Sequence, residues 1–197
     1  MSIQSTKTNI LADVLFPVKE NALLRNLFLA IAGSLVLWAS AKVKIPFYPV
    51  PMTMTTFVVL VIGMVYGWKL GTATILLYLA EGAIGLPVFA GTPEKGIGLA
   101  YMMGPTGGYL AGYVLAAAIC GYLAQLNWDK RASTTALAML LGNVAIYVPG
   151  LLWLGMLLGW DKPILEWGLI PFVAGDLLKL ALAAATIPLI WKIKKSG

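Results

Sequence analysis

Charge placement limits this chain more than any other feature of its sequence: charged residues collect at the ends of long apolar runs and are almost absent inside them. The first run is Ala22 to Ala41, closed by Lys42 and Lys44. The second, Met52 to Tyr66, meets Gly67-Trp68-Lys69 and turns into a third, Leu70 to about Ala80. A fourth begins near Gly104-Pro105-Thr106-Gly107-Gly108 and reaches Leu126; a fifth runs from about Thr134 to Gly159. The sixth starts after Asp161-Lys162-Pro163 and Glu166 and ends at Trp191. A membrane-spanning helix needs about 20 apolar residues. The chain is therefore expected to be an all-α membrane protein, a bundle of six transmembrane helices. The second and third runs are short, which calls for tilt or shelter by neighbouring helices. Of 197 residues, 60% are hydrophobic and 11% charged, far from the balance of a soluble domain. The expected organisation is a polar N-terminal lead-in over 1–21 and a single six-helix transmembrane unit over 22–195.

Histidine is absent and Cys120 is the one cysteine, which excludes disulfide frameworks, zinc sites and Cys/His catalysis; no metal or cofactor is expected. Cys120 lies within an apolar stretch, where a thiol behaves as a small hydrophobe. The net charge of +6 is scattered over segment ends instead of gathered on one face. In an apolar chain that pattern serves topology and lipid headgroups, so the bilayer is expected as a partner and nucleic acid is not. The lead-in carries Lys7, Asp13, Lys19 and Glu20 and has the pattern of a polar segment, not of a cleavable signal peptide. Lysines and arginines number nine on the side of the termini and four on the other, with Lys179 inside a span. The positive-inside rule then places both termini in the cytoplasm. No metalloprotease, nucleophile-elbow or Walker A motif occurs, so no enzyme is expected, and ATP hydrolysis would have to come from separate subunits.

On that topology two loops share the outer face. One is Ile45-Pro46-Phe47-Tyr48-Pro49-Val50-Pro51, where three prolines in six residues forbid a continuous helix. The other, Glu81 to Met103, is rich in glycine yet contains Ile84, Leu86, Val88 and Phe89. A loop of that length with apolar content is expected to fold back over the protein as a lid.

Asp176 and Lys179 are the strongest chemical signal. They stand three residues apart in an otherwise apolar helix, so both point to one face. An unpaired charge at the bilayer centre costs at least ~2.5–3.5 kcal/mol, and such residues turn toward a cavity or a partner. They form either a neutralised structural pair or a ligand site in which lysine meets a carboxylate and aspartate accepts N–H groups. Glu81 ends the third run, where the helix dipole disfavours a carboxylate; a partner, a ligand or plain exposure would each account for it. Asn143 and Tyr147 share a helix face, and the amide either joins helices or lines a cavity. Ala30 and Ser34 give small-xxx-small spacing in the first span, which allows close approach of a helix inside the fold or from a partner.

Four strings resemble one family. Ile45-Pro-Phe-Tyr-Pro-Val-Pro-Met-Thr-Met-Thr-Thr-Phe57, Gly82-Ala-Ile-Gly-Leu-Pro-Val-Phe-Ala-Gly91, Gly104-Pro-Thr-Gly-Gly-Tyr-Leu110 and Gly175-Asp-Leu-Leu-Lys179 are similar to the hallmarks of the BioY family, in the same order. These are biotin-specific substrate-binding (S) components of energy-coupling factor transporters. The resemblance implies a bacterial cytoplasmic-membrane protein that binds biotin from outside, in a cavity covered by the loops after the first and third spans. It implies partners as well: a transmembrane coupling subunit and ATPase subunits. The family's acidic and basic residues of the last helix fall on Asp176 and Lys179, its docking residues on Ala30 and Ser34, and a polar site residue on Glu81. Pro49 and Gly104, within the motif strings, are taken as site positions.

Biotin has a ureido ring with two N–H donors and a carbonyl, an apolar sulfur-containing ring and an acid tail. Asp176, Tyr147, Asn143, Tyr78 and the aromatic loops are expected to supply the acceptor and the walls. The expected division of labour is Asp176 for the ureido ring and Lys179 for the acid. A solitary or proton-coupled secondary transporter of biotin or a similar vitamin is the alternative, and a structural membrane subunit the third class.

Overall fold

The computed structural model describes residues 10–18 and 21–196. Lys7, Lys19 and Glu20 of the lead-in lie outside the described residues. The described part of the lead-in is not simply polar. It forms a short helix, α1 (Leu11–Leu15), with Leu11 and Ala12 fully buried, and Asp13 pairs with Arg25 at 2.8 Å.

Among the described residues, five helical stretches are long and apolar enough to cross a membrane. The first is α2 (Ala22–Lys42), capped by the Asn21 side chain, which accepts from the backbone N–H groups of Leu23 and Leu24. The second and third expected runs arrive as one helical stretch, α3 (Thr55–Ala83), broken at Gly67 where φ is +74° and ψ 173°. Only glycine adopts that backbone without strain. A Cβ added at Gly71 would lie 3.2 Å from the Gly63 Cα. Along an unbroken helix eight residues advance about 12 Å, so the two limbs of α3 turn back on each other at Gly67.

The second run begins later than its composition suggests. Met52-Thr53 forms a strand, β2, that pairs antiparallel with β1 (Lys44–Ile45), and helix starts only at Thr55. The prolines between the strands forbid helix and leave a small hairpin in its place. The third run continues through Glu81 to Ala83. After it the long loop includes a five-residue helix, α4 (Gly98–Met102). Then come α5 (Gly107–Gln125), a 3₁₀ turn at Trp128–Lys130, α6 (Ala132–Leu158), the short α7 (Ile164–Gly168) and α8 (Ile170–Ser196).

Helices α3, α5 and α6 make the centre, and small residues bring them together. A Cβ at Gly121 would lie 2.3 Å from the Trp68 nitrogen, and one at Gly112 2.7 Å from the Ile146 Cα. Without a solvent-driven hydrophobic term in lipid, such close backbone approach is what holds membrane helices together. Cys120 is fully buried here, its Sγ 3.4 Å from the Ala138 carbonyl. The outward face of α2 presents Leu23, Leu27, Phe28 and Leu35.

Candidate functional site

A cavity lies between both limbs of α3, α5, α6 and α8, with the end of α2, the hairpin loop and the long loop completing it. One wall is aromatic. The tip of the Phe89 ring, from the long loop, abuts Gly82, where an added Cβ would fall 2.0 Å from Cζ. The ring stacks on Tyr101 at 5.0 Å and meets Tyr78 edge-on at 5.4 Å. Tyr78 donates its hydroxyl to the Val88 carbonyl at 3.1 Å, and Tyr101 accepts from the Gly91 N–H at 3.3 Å. Tyr78 and Tyr101 are both tied to the loop through their hydroxyls, and both line the cavity. The loop is thus held down as a cover, as its apolar content suggested.

The opposite side, from α6 and α8, is polar. The Asp176 carboxylate is buried and takes two hydrogen bonds: Lys179 Nζ donates to Oδ1 at 2.9 Å and the Tyr147 hydroxyl to Oδ2. Lys179 gives its other two N–H groups to the Thr53 carbonyl at 2.9 Å and the Thr56 hydroxyl oxygen at 3.0 Å. All three donors of the ammonium are engaged. The triad Asp176, Lys179 and Tyr147 therefore carries no net charge, and it ties α8 to α6 and to the start of α3.

Four of the singled-out residues meet at this cavity: Tyr78, Tyr147, Asp176 and Lys179. Pro49 is buried next to the lining residues Val50 and Pro51. Gly104 lies beside the cavity, its carbonyl accepting from the Trp153 indole at 2.9 Å. Two expectations are displaced. Glu81 is not among the residues lining the cavity; it accepts from the Ser34 hydroxyl at 2.9 Å, between α2 and α3. Asn143 is one turn from Tyr147 but opens on a groove between α6 and α8 outside the cavity, its Oδ1 without a partner. Ala30 and Ser34 are buried within the chain, so their spacing serves the packing of α2 on α3. A Cβ at the intervening Gly33 would lie 2.6 Å from Thr74 Cγ2.

Against this geometry the family question has a direct answer, since the BioY family's sequence profile matches residues 8–196. The chain belongs to the BioY family. A probable biotin transporter of Pyrococcus horikoshii is 37% identical over 143 residues, 73% of this chain and 82% of that protein. The biotin transporter of Thermotoga maritima is 37% identical over 148 residues, with the same coverage. The crystal structure of the S-component for biotin from an ECF-type ABC transporter superposes with a TM-score of 0.73, over 91% of this chain and 96% of that one, at 23% identity. At that identity the likeness establishes the fold.

Within this BioY-family chain, the sequence alone did not single out Thr53, Thr56, Tyr101, Tyr109, Tyr113 or Phe172, all of which line the cavity. Thr53, Thr56 and Tyr109 lie inside the motif strings quoted above. Their individual roles depend on pairing across the fold: Lys179 reaches Thr56 from 123 positions away.

Proposed function

We propose that this chain is the biotin-binding S component of an energy-coupling factor transporter, taking up biotin across the cytoplasmic membrane. The observation that carries the reading is the uncharged Asp176–Lys179–Tyr147 triad set into an otherwise aromatic cavity beneath two loops. Biotin's head suits that wall. Its two ring N–H groups can donate to the unused lone pairs of Asp176, and its carbonyl can accept from Thr56, whose hydroxyl hydrogen is not needed by Lys179. The head adds no charge to a buried, balanced pair, whereas a carboxylate placed at Lys179 would face Asp176 with no additional cation. This favours the ureido ring at both charged residues and revises the expectation that Lys179 takes the acid. The apolar thiophane ring then rests on Tyr109, Tyr113 and Phe172.

The same reading treats the two limbs of α3 as separate crossings, giving six spans in one membrane unit with both termini cytoplasmic. The short limbs are sheltered by α5, as the contact of Gly121 with the Gly67 bend supports. It makes the chain a binding component and not an enzyme, with ATP hydrolysis in partner subunits and no cofactor beyond the ligand. With Ala30 and Ser34 turned inward, docking to a transmembrane coupling subunit falls to the outward face of α2 and its exposed leucines. Titration calorimetry of biotin into the detergent-solubilised protein tests the central claim. Saturable one-to-one heat at micromolar biotin or below is expected; no heat would sink it.

A further inference from the structure

The triad cannot easily accommodate a second anion, yet biotin has a carboxylate to place. Two other cations stand next to the cavity. Lys42 at the end of α2 donates to the carbonyls of Pro87 at 2.7 Å and Phe89 at 3.0 Å, and Lys44 in β1 donates to the carbonyl of Ala90 at 2.9 Å. Phe89, Ala90 and Ala41, the residue before Lys42, line the cavity; the two exposed lysines are not lining residues, but their ammonium groups hold the backbone of that wall. Their hydrogen-bond acceptors are neutral carbonyls. The carboxylate paired with Lys44 is Glu94, 3.7 Å away and 77% exposed in its side chain, too far and too wet to neutralise two cations. Each ammonium has three N–H groups, so Lys42 retains one and Lys44 at least one for a ligand. This rim therefore carries excess positive charge on the α2 side of the cavity, across from the neutral triad on α6 and α8.

We infer that Lys42 and Lys44 form a carboxylate subsite that receives the acid tail of the ligand, with the ring head at Asp176 and Lys179. This rests on the biotin reading above and adds the direction in which the molecule lies. It also gives the loop ties a second use, since the cations that hold Pro87 to Ala90 in place are the ones a bound tail would reinforce.

The test compares biotin with biotinamide, which has the same head and an uncharged tail, by calorimetry on the intact protein. In Lys42→Met/Lys44→Met, biotin is expected to weaken about tenfold while biotinamide stays within about twofold of wild type, since only the charge-assisted contacts are lost. Lys44→Arg, which keeps the charge, is expected to retain the preference for the acid. Equal loss of both ligands would reduce the lysines to loop ties and overturn the subsite. So would unchanged biotin affinity. If wild type binds neither ligand, the biotin reading itself falls and the subsite with it; biotinamide binding with no effect of the lysines on biotin overturns the subsite alone.

Discussion

Asp176, in the early turns of α8, and Asp129, bonded to Trp191 near its end, are both buried carboxylates, and they are handled in opposite ways. Asp176 is 6% exposed and has a cation on one oxygen and a tyrosine hydroxyl on the other. Asp129, in the 3₁₀ turn before α6, is fully buried; its Oδ2 accepts from the Trp191 indole at 2.6 Å, and Oδ1 has no partner. Burial pushes the Asp129 carboxyl above its ordinary value of 3.8, more strongly than the indole and nearby Lys130 pull it down. The first acid lines a cavity with its charge balanced; the second links two helix ends and is not among the residues lining that cavity. Burial of an acid in a membrane protein is therefore not in itself the mark of a ligand site. Its cation, its second donor and the adjoining space make the difference.

The strongest way to break the comparison is to remove the cation. Lys179→Met leaves Asp176 buried with one donor and no balancing charge, which typically costs about 3–5 kcal/mol. A large drop in melting temperature in detergent and loss of the biotin heat are expected. The double variant Asp176→Asn/Lys179→Met should recover much of the stability but not the binding. If Lys179→Met melts and binds like wild type, the triad is not the site. Tyr147→Phe is the milder cut: it removes one hydrogen bond to a charged acceptor, about 1.5–3 kcal/mol. Biotin affinity should fall about tenfold or more with the fold intact, and an unchanged dissociation constant would remove Tyr147 from the site.

How far each acid could be read beforehand follows from what surrounds it in sequence. Asp176 and Lys179 stood out because an apolar helix offers no local reason for charge. The spans were legible for the same reason, and the bend at Gly67 was marked by Gly-Trp-Lys. Asp129 sits beside Lys130 and Arg131 in a polar turn, where nothing in the local sequence sets it apart. Its burial depends on Trp191, 62 residues further on, which only the packed helices bring to it. Glu81 was misplaced by the same kind of blindness, since its partner Ser34 is 47 residues away on another helix. Two-residue strands have no periodicity of their own, so the hairpin of Lys44–Ile45 with Met52–Thr53 was visible only as prolines that forbid helix.

The structural acid gives two smaller tests. Trp191→Phe keeps the ring packing and the contact with Lys130 but withdraws the indole N–H from the Asp129 carboxylate. A buried acceptor that loses its donor costs about 1–3 kcal/mol. The variant should melt at a lower temperature while biotin affinity is unchanged; a parallel loss of affinity would mean that the two ends of α8 are coupled and the contrast too sharp.

Asp129→Asn should have the smallest effect and the most specific signature. Because burial raises the folded-state value above 3.8, the folded protein holds its proton at pH values where the unfolded chain has released it. Asp129 thus lowers stability as pH rises from about 4 through its raised folded value, and its effect is constant above that window. Asparagine keeps an oxygen to accept from Trp191 and cannot ionise. Relative to wild type, Asp129→Asn is expected to lose that decline and to be equal or slightly more stable at neutral pH. Taking the difference between the two melting-temperature profiles cancels the other carboxylates. A flat difference across the window would show that Asp129 ionises as freely in the fold as outside it, and that the indole alone compensates for its burial.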